Sequence, residues 1–164
     1  MKPLLGKLGL GSAQFPSGGS FRGRPPEAEV CDMLASAGKA GLGFLDAGQA
    51  QAAAEQTLGA QMPRPAPFNV LVRSVRGDRG PDAVEAEVRA TLGRLGLTKA
   101  RAVVVQSASD LFAASGLALW HRLKLLRDAG LFDQVGVSAY ASDDPAGLAR
   151  RFKPDLVQAP ASLL

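Results

Sequence analysis

Asp46 closes the apolar run Gly43-Phe44-Leu45 and is followed, at helical distance, by Glu55. A carboxylate at a strand end can pair with a nearby arginine. Arg73 and Ser74 stand together in Leu71-Val72-Arg73-Ser74-Val75, and strand alternation lets only one of them point inward. An arginine there would carry a fixed charge, because its pKa is too high for a proton relay. Gln106 follows Ala102-Val103-Val104-Val105. It can donate a hydrogen bond to a carbonyl, but neither it nor Gln51 can act as a general acid. Ser138 ends Val135-Gly136-Val137, and Gln158 ends Leu156-Val157. The one tyrosine, Tyr140, comes two residues after Ser138, and the one histidine, His121, lies mid-helix beside Trp120 as a surface or helix–helix residue. A single mid-helix histidine leaves no Ser-His-Asp set. The one cysteine, Cys31, sits in the helical pattern Val30, Cys31, Leu34, Ala35. It reads as a buried inert thiol, excludes an internal disulfide and a cysteine-based zinc site, and no metal is expected.

These residues must be positioned by an alternation of short apolar runs and longer helical patterns. Strands are predicted at Leu8–Phe15, Gly43–Ala47, Val70–Val75, Ala102–Ser107, Val135–Ala139 and Leu156–Ala159. A continuous run such as Ala102 to Val105 implies a strand covered on both faces, as in a parallel sheet. Helices are predicted from Pro25 to about Lys39, over Ala52–Gln61, from Pro81 through Leu95, over Ser115–Ala129 and over Asp144–Phe152. Prolines suit their first turns, and Gly41 and Gly130 can stop them. Val84, Val88, Leu92 and Leu95 form one stripe to lay on a sheet. Connections of this length join parallel strands by crossovers, and a period of about 30 residues is that of a (β/α)₈ barrel. The fold class is therefore α/β, a parallel (β/α)₈ barrel type with about six of its units, as a single domain over residues 1–164.

Composition narrows the function classes. The chain has 164 residues, 46% of them hydrophobic and only 5% aromatic, so alanine, leucine and valine must fill one core. The formal charge is +4, but the basic residues are scattered and not interleaved with stacking aromatics. Nucleic acid is not an expected partner. No run approaches the ~18 apolar residues of a membrane span, and no signal-peptide pattern opens the chain, so cytoplasm is the default location. The sequence ends Leu163-Leu164 just after a buried-looking strand. The expectation is a piece of a longer protein whose open edges favour self-association or pairing with a C-terminal half.

Several of these segments together resemble the aldo-keto reductase family. Asp46 through Gly59 is similar to its second-strand signature, Asp-Thr-Ala, two residues, Tyr-Gly, two residues, Glu. Leu8 to Gln14 resembles its first strand, with Ser12 where threonine is common. Ala90 to Leu97 resembles its third helix, Val135-Gly136-Val137-Ser138 its fifth strand and Leu156-Val157-Gln158 its sixth. The resemblance implies hydride transfer from NADP(H) to a small carbonyl compound, with a tyrosine as proton donor, a lysine and an aspartate that poise it, and a histidine that orients the carbonyl. Carried over, the aspartate is Asp46, the tyrosine position is Gln51, the lysine position is Ser74 (or Arg73 with a shift of one residue), and the histidine position is Gln106. Ser12, Ser138 and Gln158 fall at cofactor-binding positions, with Ala139 replacing an asparagine. The family's phosphate-binding loops follow strands seven and eight, which the resemblance does not find in this chain.

The resemblance thus implies a retained scaffold with a degenerate active site, a binding or regulatory protein. Two alternatives stay open. One is an active oxidoreductase using Asp46, Arg73, Gln106 and Tyr140 in rearranged roles. The other is a partial barrel that assembles with a partner chain.

Overall fold

The computed structural model describes residues 2–13, 27–47 and 52–160. After a short helix α1 (Lys2–Leu5), strands and helices alternate: β1 (Gly9–Gly11), α2 (Glu27–Ala40), β2 (Phe44–Asp46), α3 (Ala52–Gln61), β3 (Asn69–Arg73), α4 (Pro81–Leu95), β4 (Ala100–Val105), α5 (Ala108–Phe112), α6 (Gly116–Asp128), β5 (Phe132–Ser138), α7 (Pro145–Phe152) and β6 (Leu156–Gln158). The six strands form one sheet in sequence order, and every neighbouring pair is parallel. Sequential order with a helix in each crossover is the winding of a (β/α) barrel, as the strand period predicts.

Register assigns each side chain to a face. Gly11, Asp46, Leu71 and Ala102 are lateral partners, as are Arg73, Val104 and Gly136, and then Ser138 and Gln158. These share the concave face. The alternate residues Leu45, Val70, Val72, Val103, Val105, Val135 and Val137 face the helices and form the main core with Val84, Val88, Leu92, Leu95, Leu119, Leu123 and Leu126. Ala102 and Val104 are fully buried on the other face. The unbroken Ala102–Val105 run therefore has two separate burial environments, as its composition requires.

The sheet is strongly curled. Four inter-strand steps separate β2 from β6, roughly 19 Å in a flat sheet. Yet Gln158 Nε2 on β6 donates to Asp46 Oδ2 on β2 at 3.0 Å. Only curling of the sheet brings those two side chains into contact.

The strands differ from the sequence expectation mainly at their ends. β3 stops at Arg73 rather than Val75, because the chain turns into a 3-10 turn at Gly77–Arg79 held by Asp110. β1 pairs only over Gly9–Gly11 within the predicted Leu8–Phe15, and positions 14 and 15 lie outside the described residues. β4 and β5 begin earlier than predicted, at Ala100 and Phe132, where lateral pairing between them starts. Helix α5 has no counterpart in the sequence reading, since five residues are too few to display a period.

Helix packing is tight where α3 meets α4. A Cβ on Gly59 would sit 2.0 Å from the Arg94 carbonyl oxygen, so only glycine permits this approach. The contact brings the buried Glu55 to Thr91 Oγ1 at 3.1 Å and to Arg94 Nε at 2.6 Å. Arg94 also pairs with Glu87. Burial alone would lower the Arg94 pKa, but its hydrogen bonds to Glu55 and Glu87 outweigh that and raise it. α4 ends at Gly96, whose φ of 63° is the left-handed cap position that glycine fills without strain. Arg64 then donates to the carbonyls of Gly59, Leu95 and Gly96, satisfying the ends of both helices. Among the described residues no helix is long and apolar enough to cross a membrane, and no group of His, Cys, Asp and Glu could hold a metal ion.

Candidate functional site

The carboxyl ends of the strands carry the polar residues that the sequence singles out. Asp46 is the last residue of β2, Arg73 of β3, Ser138 of β5 and Gln158 of β6, and Gln106 directly follows β4. Active sites of (β/α) barrels lie at this end, where loops leave the strands and side chains converge. Ser12, Asp46, Arg73, Gln106, Ser138 and Tyr140 line one cavity of about 250 Å³. A second cavity of about 220 Å³ shares Arg73, Ser138 and Tyr140 with it and adds Gln158.

At the centre is a three-residue network. Arg73 Nη2 donates to Asp46 Oδ2 at 3.0 Å and to Gln158 Oε1 at 2.7 Å. Gln158 Nε2 donates to the same Asp46 oxygen at 3.0 Å. The side chains of Arg73 and Asp46 are only 16% and 24% exposed, so the pair is largely withdrawn from water. The other carboxylate oxygen, Asp46 Oδ1, is buried and makes no hydrogen bond among the described residues. Arg73 uses one nitrogen for both bonds. A guanidinium has five N–H donors, so Nε and Nη1 still offer three. None has a partner among the described residues, and Arg73 borders both cavities.

Strand parity decides between Arg73 and Ser74. Arg73 shares the concave face with Val104 and Gly136. Ser74 falls on the face of Val70 and Val72, is fully buried, and its hydroxyl accepts from the Gln106 backbone N–H at 3.4 Å. The residue beside Asp46 is therefore Arg73, and Ser74 does not reach the cavities. Ser12 is buried at the cavity edge, where its hydroxyl donates to the Asp46 backbone carbonyl at 2.8 Å. That bond ties β1 to β2. Gln106 and Ser138 are half-buried and make no side-chain hydrogen bond among the described residues, so both stay available to a ligand. Gln51 lies outside the described residues.

The structure adds two features that residue types alone did not reveal. Tyr140 is 60% exposed and lines both cavities. Gln158 joins Asp46 and Arg73 across the concave face, a contact with sequence separations of 112 and 85. His121 is exposed on α6 and takes no part. Glu55, which follows Asp46 in sequence, points into the α3–α4 contact and not to the mouth.

No family model matches the sequence, and neither does any curated protein. Solved structures do match. A Pseudomonas aeruginosa protein assigned as an aldo-keto reductase superposes with a TM-score of 0.79 at 21% identity, over 95% of this chain and 62% of that one. An aldo-keto reductase of Bacillus halodurans in its holo form gives 0.78 at 15% identity, over 96% and 54%. An aldo-keto reductase of Bombyx mori in complex with NADP gives 0.68 at 17% identity, over 94% and 54%. The chain thus spans between 54% and 62% of the length of these three structures, and at such identities the likeness concerns architecture. Six parallel strands, wound in order and curled so that β6 touches β2, have the fold of part of an aldo-keto reductase (β/α)₈ barrel.

Proposed function

We propose that the chain is an aldo-keto-reductase-like pseudoenzyme, a scaffold whose mouth binds a small carbonyl-type ligand without reducing it. The observation that carries this reading is the Asp46–Arg73 pair. Carbonyl reduction needs a hydride and a proton, and the proton must come from a group poised to release it near neutral pH. Arginine keeps its charge at any working pH and relays no proton. Ser12, Gln106 and Ser138 donate hydrogen bonds but do not ionise usefully. The mouth can orient and polarise a carbonyl oxygen, with Arg73 and Gln106 as donors.

The fit to a nicotinamide cofactor is partial. Ser138 and Gln158 border one cavity and would hold the carboxamide of an NADP(H) ring, which when bound supplies the hydride. Gln158 already commits its carbonyl and one N–H to Arg73 and Asp46, so only its second N–H and a lone pair remain. The ring end has a seat, weaker than one with an uncommitted glutamine.

A second reading, an active reductase, rests on Tyr140. Its phenol is the one titratable hydroxyl at the cavity, and Arg73 borders the same space. NADPH oxidation against a panel of aldehydes separates the two. The scaffold reading expects none above the protein-free rate, and the alternative expects turnover that Tyr140→Phe abolishes.

A further inference from the structure

A barrel helix lays its apolar stripe on the sheet and turns polar or small side chains to water. Helices α2, α3, α4 and α7 follow that rule and expose no large apolar side chain among the described residues. α6 does not. It buries Leu119, Leu123 and Leu126, yet Leu117 is 61% exposed and Leu125 49%. At about 100° per residue, Leu117, the exposed His121 and Leu125 fall within about 80° of one another on the side away from the sheet. Phe112, the last residue of α5, adds a ring that is 49% exposed. These side chains form an apolar strip on a surface that is otherwise solvated.

The strip reads the same in both directions, with a leucine four residues before His121 and another four residues after it. We propose that a second copy of this chain docks here, α6 antiparallel to α6, with a two-fold axis passing beside His121. A two-fold contact is isologous, so if residue i meets residue j, then j meets i. An axis at His121 sets Leu117 of each copy on Leu125 of the other, about 6 Å to either side of the axis. The charges fit the same operator. Asp128 lies seven positions after His121 and comes over position 114 of the other copy, two residues from Phe112. Arg151 is stacked there, at 5.6 Å from the Phe112 ring and 5.2 Å from the Phe152 ring, and makes no ion pair among the described residues. Asp128 receives both of its Arg127 hydrogen bonds on Oδ1, so Oδ2 is open to that guanidinium. Lys124, three positions from His121, faces Ala118, and no lysine, arginine or carboxylate is set against its like. Each favourable contact occurs twice by symmetry. α6 has 13 residues and is about 20 Å long. One helix pair with its flanking Phe112 rings is a small interface, so the dimer is expected to form at about 10–100 μM chain.

Sedimentation equilibrium of the 164-residue chain, from about 2 μM to about 500 μM, tests this. The weight-average mass should rise from that of one chain towards that of two. Leu117→Glu and Leu125→Lys each place charges against a leucine of the other copy, and each should weaken the dimer at least about tenfold. Both positions lie at the surface, and an unchanged circular dichroism melt would show that the fold is kept. In an equimolar mixture of these two variants, the new carboxylate meets the new ammonium at one junction and leucine meets leucine at the other. The mixture should therefore dimerise at concentrations where neither variant does alone. Leu4→Glu, an equally exposed leucine on α1, should leave the association of the parent unchanged. A chain that stays monomeric across the range would leave the strip to another class of partner and overturns the proposal. So does a dimer that neither substitution weakens, or a mixture that associates no better than its components. The readout is self-association, which does not depend on whether the mouth reduces a carbonyl.

Discussion

Replacing Arg73 with alanine removes the cation from a network that spans β2, β3 and β6. The side chain makes two hydrogen bonds, at 3.0 Å to Asp46 and 2.7 Å to Gln158. Breaking a fully buried ion pair by deleting one partner costs about 3–5 kcal/mol, because the remaining charge is left without compensation. Here Asp46 retains the Gln158 N–H, and its side chain is 24% exposed, so water can solvate part of the carboxylate. A loss of about 2–3 kcal/mol follows, equivalent to about 4–12 °C in Tm for a domain of this size. Asp46→Asn keeps the shape of the aspartate, and with Arg73→Gln, a shorter but still polar side chain, it removes both charges together. Its cost should stay near 1 kcal/mol. Urea denaturation followed by circular dichroism measures both, and equal slopes would show that the comparison concerns stability alone. If Arg73→Ala costs less than about 0.5 kcal/mol, or the double variant costs as much as the single one, the pairing of strand-end charges does not hold this mouth together.

Gly59→Ala should destabilise the chain by about 1–3 kcal/mol in the same assay, because the added methyl meets the Arg94 backbone at 2.0 Å. A neutral result would mean that α3 and α4 are not so closely packed. The surface pair on α4 and α6 makes a pH prediction. Hydrogen bonds from Arg122 and then Arg89 hold the Glu85 carboxyl below its ordinary value of 4.5. A depressed folded-state pKa contributes stability above the unfolded value, and that contribution disappears as pH falls through the folded one. Comparing Glu85→Gln with the parent from pH 7 to pH 2 should therefore show a difference of at most about 1 kcal/mol near neutrality, shrinking to none in acid; a difference that grows in acid would refute it.

Much of the architecture was legible because burial on both faces leaves a mark. The Ala102–Val105 run reads as a strand between two apolar layers, and the stripe Val84, Val88, Leu92, Leu95 reads as a helix on a sheet. The site was legible as residue types at strand ends, but not as partnerships. Alternation states that one of Arg73 and Ser74 faces inward, and only lateral register with β4 says which. The contact of Gln158 with Asp46 depends on how far the sheet curls, which no local pattern encodes. The same holds for Glu55, whose partners Thr91 and Arg94 are separated from it by 36 and 39 positions.

The most direct measurement of the central claim is NADPH oxidation by the purified chain across a series of aldehydes, in parallel with Gln51→Tyr combined with Arg73→Lys. The parent should oxidise NADPH no faster than buffer, because a fixed arginine charge beside Asp46 offers no proton. Reduction of a carbonyl by the parent at a rate that the paired substitutions leave unchanged would contradict it.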